Sequence, residues 1–123
     1  MYHIDQRSPV PVYEQLARQI ERHIVSGDLA DGQKLPSIRE LASTLRINPN
    51  TVVKTYRQLE NEGLVSSRKG LGIFVSILGM DLEGSRDSLF AELTDEYVRK
   101  AAGLGMEGDQ IVQGLTRRLK GEN

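Results

Sequence analysis

Between Leu35 and Val75 the apolar period changes once, from helical to alternating, and that change restricts the folds open to the chain. Two helix starts come first. Ser37 with Glu40 is a capping-box pair, in which each side chain satisfies a free backbone N–H. Ile38, Leu41, Ala42 and Leu45 then recur on one face. Arg46-Ile47-Asn48 is a short turn. Asn48-Pro49 is a second start, an Asn N-cap with Pro at the first helical position. That helix runs from about Pro49 to Glu62, buries Val52, Tyr56 and Leu59, and stops at Gly63. Beyond it, Leu64-Val65-Ser66 and Ile73-Phe74-Val75 flank Arg68-Lys69-Gly70-Leu71-Gly72. Two short strands around a glycine-bearing basic tip predict a hairpin.

An earlier helix is expected from about Val12 to Ser26, with Tyr13, Leu16, Ala17, Ile20 and Ile24 on its apolar face and Gly27 as its stop. Met1 to Pro9 reads as irregular, Leu29 folds back on the core, and Lys34-Leu35-Pro36 is an extended bridge. Three helices and a hairpin make a winged helix-turn-helix. Two more helices follow, Ser85 to about Ala102 and Glu107 to about Lys120, separated by Gly103-Leu104-Gly105. The expected fold is mainly α with a small β-hairpin. An N-terminal winged helix-turn-helix spans residues 1–77, and a short two-helix dimerisation unit spans 78–123.

Charge is distributed unevenly. The net charge is −1, yet Lys34 to Val75 carries seven basic against three acidic residues, a local +4. Ser76 to Asn123 carries six against nine, a local −3. A phosphate backbone senses the field within about 10 Å, so the local value governs. There is no cysteine, which excludes disulfides and thiolate metal sites and fits a cytoplasmic location. No apolar run reaches the roughly 18 residues that a membrane span needs. An enzyme is disfavoured. His3 and His23 are the only histidines, and neither has a metal or triad partner at a suitable spacing. Gly70-Leu71-Gly72 lacks the remainder of a nucleotide-binding loop. No catalytic residue, metal site or cofactor is expected. Asp81, Glu83 and Asp87 read as a solvated acidic face, and His23 as a helix-surface or interface residue.

The composition of the basic segment suits duplex DNA. With Val52, Tyr56 and Leu59 inward, Asn50, Thr51 and Lys54 fall on the outer side of their helix, next to Asn48. Asn pairs with the edge of adenine, a Thr methyl meets a thymine methyl, and Lys reaches a phosphate or a guanine. Ser37 and Arg39 open the second helix, whose amino end attracts phosphate. Arg57 is expected as a phosphate contact or a surface charge rather than a base reader. Arg68, Lys69 and Gly70 form a positive tip for the minor groove or the backbone. A competing use of the same module, gripping another protein, fits less well, because interface centres are aromatic and poor in charge.

Leu35-Pro36-Ser37, Arg39-Glu40-Leu41-Ala42, Asn50-Thr51-Val52, Leu59-Glu60, Gly63-Leu64-Val65 and Lys69-Gly70-Leu71-Gly72-Ile73-Phe74-Val75 together resemble the GntR family of bacterial transcription regulators. Ile47 to Lys54 with a short tail is similar to its YtrA-type branch. The resemblance implies a dimeric repressor on an inverted repeat, often beside ABC-type transporter genes, with any small-molecule effector unnamed. It places the family's DNA contacts on Arg39, Asn50, Thr51, Lys69 and Gly70. Many relatives have arginines where this chain has Pro49 and Val53.

The tail bears on assembly. Leu89, Phe90, Leu93, Tyr97, Ile111, Leu115 and Leu119 form apolar faces on helices too few to bury them alone. The simplest cover is the same surface on a second copy, a C2 homodimer.

Overall fold

The computed structural model describes residues 2–122. Its elements are α1 (Val12–Val25), α2 (Ile38–Leu45), α3 (Pro49–Asn61), β1 (Val65–Arg68), β2 (Gly72–Val75), α4 (Leu82–Gly103) and α5 (Gly108–Leu119). Two compact units divide them, the first ending at Glu83 and the second beginning at Gly84. The first unit extends past residue 77 because Ile77 and Met80 pack on its core, and because the Ile77 N–H donates to Asp31 Oδ1 at 2.7 Å.

The first unit is built round α3. Leu16, Ile20 and Ile24 of α1, Leu41 and Ala42 of α2, and Val52, Tyr56 and Leu59 of α3 form one buried cluster. Leu29, Leu35, Leu64, Val65 and Val75 close it. Burying each large aliphatic chain contributes on the order of 2 kcal/mol. Thr55, which the apolar pattern passes over, is fully buried. Its hydroxyl donates to Thr51 O within α3 and lies 3.0 Å from Tyr13 O on α1, so the polar group is satisfied in the core. Tyr13, expected on the buried face of α1, is instead half-buried at its margin.

Local signals set the helix ends. The Ser37–Glu40 capping box is formed, with the Glu40 N–H donating to Ser37 Oγ at 3.0 Å. Asn48 caps α3, its Oδ1 accepting from the Asn50 N–H at 2.8 Å. After α3, Gly63 N–H reaches Glu60 O and Leu64 N–H reaches Leu59 O, a Schellman closure. The turn between α2 and α3 closes the same way with a non-glycine residue. Arg46 sits at φ 56, where a left-handed residue is required.

Three expectations are corrected or extended. The strands run nearer the tip than the apolar runs suggested, so Arg68 belongs to β1 and pairs with Gly72. Leu64 lies outside β1 because the helix closure takes its N–H. Lys34-Leu35-Pro36 does more than bridge. Lys34 pairs antiparallel with Phe74 on the other edge of β2, and Leu35 N–H donates to Ile73 O. Residues 2–8 form no helix or strand, in keeping with the irregular reading, and hydrogen bonds and packing hold them. Gln19 grips both the N–H and the C=O of His3, Gln15 does the same for Asp5, and Tyr2 and Ile4 pack on the core. Finally, α4 starts at Leu82, three residues before the expected Ser85.

In the second unit neither α4 nor α5 buries a single residue. No helix among the described residues is long and apolar enough to cross a membrane.

Candidate nucleic-acid interface

Since α3 buries Val52, Thr55, Tyr56 and Leu59, its opposite side carries Asn50, Lys54 and Arg57. All three are exposed and recur at helical spacing, one above another. Thr51 is half-buried. It adjoins Asn50 at the edge of the exposed strip, and its backbone carbonyl accepts from Thr55. Asn48 is exposed, and with its oxygen held in the cap its amide N–H groups are the freer part to meet a ligand.

Named bonds fix the other candidate groups to α3. The Tyr56 hydroxyl donates to Pro36 O at 2.7 Å, which ties the entry of α2 to the middle of α3. Burial raises the Tyr56 phenol far above its ordinary range, with Tyr2 and Glu40 adding to the effect, so it stays a donor. Ser37 and Arg39 stand exposed at that entry, and the Ser37 oxygen is occupied as a cap. Arg39 has no ion pair among the described residues; Glu40 serves the capping box and Glu60 accepts from the Ser67 N–H at 2.9 Å. That last bond anchors the hairpin to the end of α3.

At the hairpin tip, Leu71 N–H returns to Arg68 O at 2.9 Å, and Lys69 and Gly70 make the turn. Gly70 has φ 78, which a side chain would strain. Gly72 also has a positive φ, 122. A Cβ there would stand 2.9 Å from Lys34 Cε, because the lysine stem crosses the hairpin at that point. Lys34 thus joins Arg68 and Lys69 at the wing. Its basic charge was visible in the sequence, but only the pairing across β2 shows where it goes.

Two cations lie on aromatic rings. Lys54 Nζ is 4.6 Å from the centroid of Tyr13, and the guanidinium of Arg68 is 4.9 Å from that of Phe74. Arg18 behaves differently. Glu14, Glu21 and Glu62 surround it, and both Glu62 oxygens accept from Nη2 at 2.7 Å, stapling α1 to α3. Its Nε lies 3.1 Å from Glu14 but off line for a hydrogen bond. Burial works against its charge, yet Glu62, then Glu21 and Glu14, hold its pKa above the ordinary value. Arg18 is therefore a structural cation. His23, half-buried, contacts Asp28 at 2.9 Å and meets Tyr2 edge-on at 5.5 Å. No metal-binding cluster occurs among the described residues, and Asp81, Glu83 and Asp87 are exposed.

The family model described as "Bacterial regulatory proteins, gntR family" matches residues 12–75, the span from α1 through β2. The chain belongs to the GntR family. It is 33% identical to the HTH-type transcriptional regulator YhcF of Bacillus subtilis (strain 168) over 115 residues, covering 94% of this chain and 95% of the relative. It is 45% identical to the HTH-type transcriptional repressor YtrA of the same organism over 76 residues, 62% of this chain and 58% of the relative. Among solved structures it is similar to the DNA-binding domain of AraR in complex with operator ORX1. There the TM-score is 0.56 at 28% identity, covering 61% of this chain and 96% of that one. The expected winged helix-turn-helix of the GntR family, YtrA-type relatives included, is thus present. The chain is a DNA-binding transcriptional regulator rather than an enzyme.

Proposed function

We propose that this GntR regulator is a repressor that binds an inverted-repeat operator as a homodimer. The observation that carries the reading is the exposed strip Asn50, Lys54 and Arg57 on a helix whose other side is wholly buried, with Thr51 at its edge. In this reading Asn50 and Thr51 meet base edges, while Arg39, Arg57, Arg68 and Lys69 neutralise phosphates. Ser37 and Asn48 hold the two helix ends in place and offer what donors their caps leave. Gly70 lets the wing backbone approach the duplex closely.

The dimer part of the proposal rests on the second unit. Phe90, Leu93, Tyr97, Leu115 and Leu119 are all exposed, and Leu89 and Ile111 only half-covered. A largely apolar cavity of ≈ 320 Å³, lined by Tyr97, Ala101, Leu104, Met106, Ile111 and Gly114, lies between α4 and α5. Apolar surface of this extent calls for a cover, and a second copy presents a matching one. Control of transporter genes and response to an effector rest on the family resemblance alone.

A gel shift on the promoter upstream of the protein's own gene, at fixed salt and with random duplex as competitor, tests the reading. A shifted band that resists random competitor and requires both halves of an inverted repeat is expected. Equal competition by random duplex would remove the claim of a specific operator.

A further inference from the structure

Lys54 and Arg68 share an unusual environment for DNA-facing cations. Neither has a carboxylate partner among the described residues, yet neither swings freely, because each lies on a ring. A carboxylate restrains a cation and also cancels its charge, as Arg18 illustrates with its three glutamates. A ring face restrains it through the quadrupole and leaves the charge intact for a phosphate. Lysine and arginine also lose much side-chain freedom when they bind, so restraint beforehand reduces that loss.

The rings themselves are well anchored. The carbonyl of Tyr13 lies 3.0 Å from the hydroxyl of Thr55, the residue after Lys54, so the α1 backbone that carries the ring sits against the turn of α3 that carries the ammonium. Phe74 lies in β2 between Ser66 on β1 and Lys34 on the opposite edge. Arg68 and Phe74 occupy diagonal positions on one hairpin face. Gly72, opposite Arg68, carries no side chain that would block the approach. Both rings are half-buried and lie outside the buried core, so packing alone does not account for them.

We propose that Tyr13 and Phe74 are positioning residues for DNA binding, whose rings hold Lys54 and Arg68 ready for phosphate. The proposal rests on the reading above that these cations face the duplex. It also makes Lys54 a phosphate contact rather than a guanine reader, because its ammonium is drawn toward α1.

The test is a double-mutant cycle. Affinities are measured by fluorescence anisotropy on two probes: a duplex that the wild-type chain has selected from a random pool, and a random duplex of equal length. Tyr13→Leu should weaken both by about three- to tenfold. Tyr13→Phe should bind like wild type, and Tyr13→Leu should add no loss once Lys54 is replaced by Met. Phe74→Leu with Arg68→Met should behave in parallel. A Tyr13→Leu loss that persists undiminished in Lys54→Met, or a Tyr13→Phe loss as large as that of Tyr13→Leu, would overturn the proposal. Wild-type affinity of Lys54→Met on both probes would instead remove the underlying assignment of Lys54 to the duplex, and the proposal with it. One readout needs no variant. The Lys54 ε-methylene protons of the wild-type chain should show an upfield ring-current shift, and random-coil shifts there would also overturn the proposal.

Discussion

The Tyr56 hydroxyl illustrates how one buried polar group serves an interface it never touches. Its bond to Pro36 O fixes where the α2 entry lies relative to α3. Tyr56→Phe keeps the ring in the core but leaves that carbonyl without its donor, and should cost about 1–2 kcal/mol at neutral pH by urea denaturation. The pH dependence has a definite sign. Burial raises the folded-state phenol above its ordinary value of 10.0, so the unfolded chain loses this proton first. Stability from Tyr56 is therefore complete below pH 10.0 and declines as pH rises beyond it. Tyr2, also raised by burial, declines in the same direction. Urea midpoints below and above that pH should fall for the wild-type chain, and fall less steeply for Tyr56→Phe. An equal fall in both would assign the alkaline loss to other groups.

At the scale of elements, α3 and the hairpin divide the proposed work. The edge position of Thr51 on α3 is suited to reading bases, whereas Lys69 at the hairpin tip supplies charge. Thr51→Ala should narrow the gap between operator and random duplex by about tenfold, the lower part of the range for one good base contact. Lys69→Ala should weaken both duplexes alike and reduce the salt slope by about one. Binding isotherms across a salt series separate the two outcomes. Equal losses for Thr51→Ala on both duplexes would count against base reading. Both helix caps and the stop at Gly63 were legible in the sequence, because each depends on residues within a single turn. The pairing of Lys34 with Phe74 was not, because it joins residues 40 positions apart and uses backbone groups that no side-chain pattern reports.

For the whole molecule, the question is what covers α4 and α5. Leu93, at 51% exposure, is a useful probe because replacing it disturbs no core. Leu93→Asp should leave the melting of the first unit unchanged, shift the sedimentation coefficient to that of a monomer, and weaken operator binding. A variant that still sediments as a dimer would place the seam elsewhere. The proposed dimer matters for reading DNA, because a two-fold pair of α3 helices matches the symmetry of an inverted repeat.

From the sequence alone came the element order, the caps, the inward faces of α2 and α3, the local basic charge and the family. All of these are written in short-range spacing or in residue identity. The tertiary structure decided which side chains were already engaged. It put Thr55 in the core, surrounded Arg18 with carboxylates, set the Tyr13 ring beside Lys54, and laid Lys34 across Gly72. Each of these depends on a partner from another element, or on which of two competing bonds a group makes. Neither is fixed until the elements pack, so periodicity along the chain carries no trace of them.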